Sequence, residues 1–194
     1  MSASSVDLSV ILPFGDHEEV IGAACRRVAE HLRDQQVSFE IIAVDEDSTD
    51  NSHAILALLR REVPELRISA AAAIGRGYDV GAGQAKGRAL LLIEPESAMS
   101  TVAAIGRAVR RVLRGELDLA VVEGRFAVAH RTQCLAALRG QRALDFRRLA
   151  RRARSRGLEV ETYHLGGSAR TAPRLGEGRL FRLLEALSPA RTAR

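Results

Sequence analysis

The sequence predicts a single α/β domain whose mostly parallel central sheet is flanked by helices. Three observations carry this. Over the first hundred positions, short apolar runs of strand length alternate with amphipathic stretches of about 10–15 residues, the pattern of parallel βαβ units. The 194 residues, 46% apolar and 27% charged, suffice for one full core and are few for two. The longest apolar runs, such as Ala89-Leu90-Leu91-Leu92-Ile93, fall far short of the ~18 residues of a membrane span.

The elements follow in order. Leu8–Leu12 reads as a buried strand stopped by Pro13 and Gly15. Asp16 and Glu19 have the spacing of a helix-start capping box, and Val20, Ala24, Val28 and Leu32 recur at every fourth position as one helical face. Phe39–Val44 is a second strand, running into the acidic loop Asp45-Glu46-Asp47-Ser48-Thr49-Asp50. A second helix with Ile55, Leu58 and Leu59 on its face is expected to close at Pro64. Leu66–Ala70 is a weaker third strand, and 74–87, broken by glycines, reads as a loop plus a short helix. Ala89–Ile93 is a fourth strand, ending at the turn Glu94-Pro95-Glu96. Ser100 then caps a helix with Val102, Ile105, Val109 and Val112 inward.

After residue 115 the pattern changes. Leu117–Val122 and Arg125–His130 suggest an added strand pair of mixed direction. Thr132–Leu138 and Leu144–Arg156 read as helices, and Leu158–His164 as a strand. Gly166-Gly167-Ser168 opens a flexible stretch before a helix at Arg179–Leu187 and a loose tail over 188–194. No linker divides the chain, so residues 1–194 are expected to form one domain, with 7–97 and 98–187 as its halves.

Charge divides along the same line. Residues 1–97 hold 9 basic and 16 acidic side chains, whereas 98–194 hold 20 basic and 8 acidic. The basic half can meet phosphate, nucleic acid or an anionic membrane, with solvated helix faces as the alternative. With 4% aromatic residues there are few platforms for stacked bases, and no recognition motif appears, so nucleic acid is not the expected partner. Two cysteines in no motif exclude a disulfide framework or a cysteine zinc site. The amino terminus lacks the pattern of a signal peptide, and a cytoplasmic location is expected.

Ligands of parallel α/β sheets sit outside the carboxyl ends of the strands. Three segments are therefore expected to meet there: Pro13–His17, Asp45–Asp50 and Glu94–Ser97. No Gly-x-Ser-x-Gly or Gly-x-x-x-x-Gly-Lys motif is present, and the glycines at 75–83 do not follow the first strand as a dinucleotide fingerprint does. Carboxylates at the end of the second strand can accept from base N–H or ribose hydroxyl groups. Glu94 and Glu96 can share a divalent ion with a diphosphate, because Mg2+ takes one or two carboxylates and fills its shell with phosphate oxygens and water. Solvated turns are the alternative for both clusters.

Leu8-Ser9-Val10-Ile11-Leu12-Pro13, followed by Glu18-Glu19-Val20-Ile21-Gly22, resembles the opening strand and helix of family 2 glycosyltransferases, which have the GT-A fold. Residues 41–50 resemble that family's Asp-Asp-Gly-Ser-Thr-Asp loop. Gly81 and Ala85-Lys86-Gly87 match the tail of its Asn-x-Gly…Ala-x-Gly stretch, and Leu90–Ile93 falls just before its Asp-x-Asp position. The dolichyl-phosphate-mannose-synthase-like branch is the nearest. The likeness spans about residues 7–125 and resumes loosely at 145–164.

The resemblance implies a UDP- or GDP-sugar donor and bound Mg2+ or Mn2+. Pro13 and Phe14 would lie against the nucleotide. Asp45 and Glu46 would match the two loop aspartates, and Asp16, Asp47 and Gly81 complete the residues expected around the donor. Glu94 and Glu96 would be the metal ligands. Several positions depart from the family: Gly15-Asp16-His17 replaces Tyr-Asn-Glu, Asp47 replaces the loop glycine, Tyr78 replaces an Arg, and two glutamates replace the two aspartates. The acceptor-side segment is nearly absent between Val122 and Phe126, leaving Glu123 as the one candidate base. Two readings stand at this point. One is a transferase acting on a lipid-linked acceptor at the inner face of a membrane, completed by a partner chain. The other is a pseudo-glycosyltransferase serving as a binding or scaffold module.

Overall fold

A computed structural model describes residues 6–122, 125–138 and 144–163. The elements are β1 (Leu8–Phe14), α1 (Ile21–Asp34), β2 (Phe39–Asp45), α2 (Ser52–Leu59), β3 (Leu66–Ala70), α3 (Gly77–Gln84), β4 (Ala89–Ile93), α4 (Pro95–Leu113), β5 (Leu119–Val122), β6 (Phe126–His130), α5 (Arg131–Leu138), α6 (Phe146–Ser155) and β7 (Val160–Tyr163). The helix expected at 179–187 and the tail lie outside the described residues.

The seven strands form one sheet in the order β3-β2-β1-β4-β6-β5-β7. β1 runs parallel to β2 and β4, and β2 parallel to β3. β6 is antiparallel to both β4 and β5, and β7 returns parallel to β5. This is the added pair of mixed direction expected after residue 115. β3 is an edge strand, mostly half-buried, which accounts for its weak apolar pattern.

Alternation along the strands divides the core in two. Leu8, Val10, Leu12 and Phe14 of β1 face α1, α2 and α4, whereas Ile11 faces α3, α5 and α6. Helices thus cover both faces of the sheet. In α1, Ala24, Val28 and Leu32 are buried as their spacing requires. Both cysteines are free and buried, and burial pushes each thiol up to about 12. No helix among the described residues is long and apolar enough to cross a membrane.

Several boundaries differ from expectation for local reasons. Pro13 does not stop β1. The ladder to β4 ends at Ile11 opposite Leu92, so past that point β1 has a neighbour on the β2 side only, and a residue without an N–H is tolerated. α1 has no capping box: Val20 is its N-cap and no side chain caps it. α2 ends at Leu59, well before Pro64. Its buried stripe is Ser52, Leu56 and Leu59, which leaves Leu58 66% exposed. Glu94-Pro95-Glu96 is not a free turn, and Ser100 is not a cap. α4 begins at Pro95 with Glu94 as N-cap, because proline suits the first helical position and an acid in the first turn suits the helix dipole. α4 and α6 end on Gly115 and Gly157, whose φ of 71° and 78° are left-handed. Glu116 N–H reaches back to the Arg111 carbonyl and Leu158 N–H to that of Ala153.

Candidate functional site

The three segments expected at the carboxyl ends of the strands do meet. The Phe14 carbonyl accepts from Glu46 N–H at 2.8 Å, joining the ends of β1 and β2. The Asp16 carboxylate accepts from the backbone N–H of Thr49 at 2.7 Å and of Asp50 at 3.2 Å. Glu18 N–H donates to Asp50 at 2.8 Å, and Asn51 N–H donates to Glu18 at 3.0 Å. His17 joins the third segment through Nε2, 3.0 Å from Glu96 Oε1. Much of the acidic charge thus braces two loops against each other. Desolvation opposes the shift, but hydrogen bonds from Ser52 and Glu18 and the nearby His17 hold the Asp50 carboxyl below its ordinary value.

Asp45 and Asp47 open onto a cleft of about 480 Å3, lined also by Ser48 and the segment 70–74. That volume is ordinary for a small-molecule site. Asp45 is held by Ser48 N–H at 2.9 Å and by His53 Nδ1 at 3.1 Å. Asp47 has a φ of 68°, so the position where the resemblance expects glycine does take the left-handed conformation, which Asp tolerates better than most residues. The Ser48 hydroxyl is shielded from solvent without a hydrogen-bond partner. Ile74, 76% exposed, forms an apolar part of the lining.

Glu46 points elsewhere. Its Oε1 accepts from Gly77 N–H at 2.5 Å, fastening the start of α3 to the end of β2. Gly77 has no room for a side chain, since a Cβ there would lie 2.6 Å from Pro13 Cβ. At Gly81 a Cβ would lie 2.4 Å from Ile11 Cγ2. Gly81, expected beside the donor, is buried, and its missing side chain lets α3 lie close on the sheet. The Ala85-Lys86-Gly87 stretch is likewise tied inward: Lys86 N–H donates to buried Glu40 at 2.7 Å and Gly87 N–H to Ser9 Oγ at 2.8 Å.

Pro13 and Phe14, expected against the nucleotide, are buried instead. Phe14 is 1% exposed and faces the α1 and α4 side of the core, because strand alternation puts it on the same face as Leu12. Glu123 lies outside the described residues.

Glu94 and Glu96 stand at the N-cap and in the first turn of α4, both exposed. Burial of part of its surroundings and the negative charge of Glu96 push the Glu94 carboxyl above its ordinary value, against the opposing influence of His17. Such a pair fits a divalent cation, which relieves the repulsion between the two acids. Among the described residues no three His, Cys, Asp or Glu side chains are grouped to hold a metal, so a cation here would take its other ligands from substrate oxygens and water.

The sequence gives no role to His53, and none to His17 or Tyr78 beyond a place in the Pro13–His17 segment and at the family's arginine position. Scattered histidines are usually surface or core residues, and only the chain path sets His17 against Glu96 and His53 against Asp45.

No family model matches the chain, and no curated protein matches it in sequence. Solved structures do match its fold. A mannosyltransferase from Pyrobaculum calidifontis, in complex with GDP-Man and Mn2+, superposes with a TM-score of 0.68 at 15% identity, over 92% of this chain and 60% of that one. Glucosyl-3-phosphoglycerate synthase from Mycobacterium tuberculosis, in complex with UDP, gives 0.62 at 15% identity over 89% and 74%. The same enzyme with Mn2+ and UDP-Glc gives 0.62 at 14% over 89% and 73%. The chain thus spans less than two thirds of the length of the mannosyltransferase. These likenesses show a GT-A-type glycosyltransferase fold and do not single out the dolichyl-phosphate-mannose-synthase-like branch.

Proposed function

We propose that this chain binds a nucleoside-diphosphate sugar, UDP- or GDP-linked, together with Mg2+ or Mn2+, and transfers the sugar to an acceptor as family 2 glycosyltransferases do. One observation carries the reading: the Asp45-lined cleft at the end of β2 and the Glu94/Glu96 pair at the end of β4 lie at the same edge of the sheet. That is where ligands of open α/β sheets bind. The GDP-Man and UDP-Glc named, each with Mn2+, for the two structural neighbours are of this class.

Asp45, braced by Ser48 and His53, presents an acceptor to ribose or base in the cleft, and Asp47 and Ser48 line the same wall. Glu94 and Glu96 hold the metal, with His17 steadying Glu96. A divalent ion supplies neutralisation of the leaving diphosphate's charge. Asp16 keeps the first loop fixed to the second, so that both walls of the site are preset. Pro13, Phe14 and Gly81 support the site from beneath.

The acceptor is read as anionic and lipid-linked. α6 and its C-cap present Arg148, Arg151, Arg152, Arg154 and Arg156 to solvent, with no acidic residue from 146 to 158. The start of α6 reaches the site edge through Phe146, whose ring meets Tyr78 edge-on at 6.1 Å. A second reading, donor binding without turnover, is favoured by the short path between β5 and β6, which leaves little chain for an acceptor site. Titration with UDP- and GDP-sugars, with and without Mn2+, tests the binding, and release of nucleoside diphosphate separates the two readings. Absence of binding by every donor overturns both.

A further inference from the structure

The Tyr78 hydroxyl is shielded from solvent and has no hydrogen-bond partner. A buried donor left unpaired is costly, and in native proteins such a group calls for an explanation. Its ring cannot easily move to find one. Phe146 meets it edge-on at 6.1 Å, and the preceding residue, Gly77, is fastened to Glu46 and wedged against Pro13. A partner must therefore come to the hydroxyl. Two carboxylates stand on its side of the sheet: Tyr78 packs on the face that carries Leu92, the still-extended backbone at Glu94 returns that side chain to the same face, and Glu46 is bonded to the neighbouring Gly77. Burial first, then the negative charges of Glu94 and Glu46, push the hydroxyl's ionisation well above the ordinary tyrosine value. Glu46 already accepts from Gly77 N–H. Glu94 is exposed and makes no capping bond at the start of α4, so it is the one able to turn.

We infer that Tyr78 is a positioning residue for Glu94, its hydroxyl donating to one carboxylate oxygen when the other binds the divalent ion. This rests on the proposed function and deepens it. Metal-ligating carboxylates are ordinarily oriented by such a second hydrogen bond, and losing it weakens metal binding. At this position the resemblance expects an arginine. A tyrosine supplies one directed donor without a positive charge that would compete with the cation.

The test is calorimetric titration of Mn2+ into wild-type and Tyr78→Phe protein, each saturated with whichever of UDP and GDP the wild type binds. Tyr78→Phe is expected to weaken Mn2+ binding about tenfold. Its melting temperature should stay level or rise, since an unpaired buried hydroxyl is removed. A merely structural tyrosine would show the reverse, and equal Mn2+ affinity in the two proteins overturns the inference. Loss of nucleotide-sugar affinity with Mn2+ affinity unchanged also overturns it, placing the hydroxyl against the sugar. Wild-type protein that takes up no Mn2+ with either nucleotide overturns the proposed function itself, and the inference with it.

Discussion

The imidazole of His17, just beyond β1, donates from Nε2 to Oε1 of Glu96 in the first turn of α4, at 3.0 Å. Gly15 N–H donates to Nδ1 at 3.1 Å, so both ring nitrogens are engaged. The pair spans the gap between the ends of β1 and β4. Glu96 is two residues from Glu94, and its negative charge bears on that carboxyl.

Glu94 should therefore be a destabilising charge in the metal-free protein. Its carboxyl is pushed above the ordinary value near 4.5 by desolvation and by Glu96. Folding then takes up a proton between the ordinary value and the raised one. Stability falls as pH rises through that window and is lowest above it. Glu94→Gln is expected to raise the melting temperature at pH 7 by about 1–2 °C, a small gain because solvent screens an exposed carboxylate. The gain should vanish below pH 4.5. Mn2+ should raise the melting temperature of the wild type more than that of the variant. Thermal melts across pH, with and without Mn2+, check both statements.

Asp45→Ala should weaken nucleotide binding. A hydrogen bond to a charged group is worth roughly 1.5–3 kcal/mol, or about 10- to 150-fold in affinity. The same change releases Ser48 N–H and His53, so Asp45→Asn, which keeps an acceptor at one oxygen, is the control for loop disorder. Calorimetry with UDP and with GDP reads the effect, and unchanged affinity in Asp45→Ala would remove the nucleotide from this cleft.

Gly81→Ala tests the packing role. The new methyl would lie 2.4 Å from Ile11 Cγ2 and 3.1 Å from Val44 Cγ2, both fully buried. Overpacking typically costs about 1–3 kcal/mol, against roughly 1 kcal/mol gained from alanine's helix propensity. Net loss of stability in urea is expected. Donor affinity should change little, because the glycine lies under the sheet.

The arginine face of α6 should bind anionic vesicles. At about 1 kcal/mol per residue near a charged bilayer, replacing Arg148, Arg151 and Arg152 by Gln should lower partitioning about 100-fold. Sedimentation with phosphatidylglycerol vesicles at low and high salt measures this. No binding by the wild type at low salt would leave these arginines as a solvated face.

Most elements were legible in the sequence because their signals are local. The period of four in α1, the apolar runs of β1, β2 and β4, and the Arg-rich face of α6 each follow from which side chains must leave water. Boundaries were less legible. Pro13 reads as a strand stop until the shorter ladder to β4 is seen, and Glu94-Pro95-Glu96 reads as a turn until α4 starts on it.

The sequence by itself determined the α/β class, the parallel first half, the mixed-direction addition and the meeting of three loops at one edge. These depend on hydrophobic period and on the rule that strands joined through helices run parallel. Tertiary structure alone decided what each site residue does there. It turned Phe14 into the core and Gly81 beneath the sheet, and it gave Asp16 and Glu46 to backbone N–H groups. It also brought His17 to Glu96 and His53 to Asp45, and buried the Tyr78 hydroxyl without a partner. A carboxylate's role depends on which donors lie within about 3 Å, and those donors come from loops far apart in the chain.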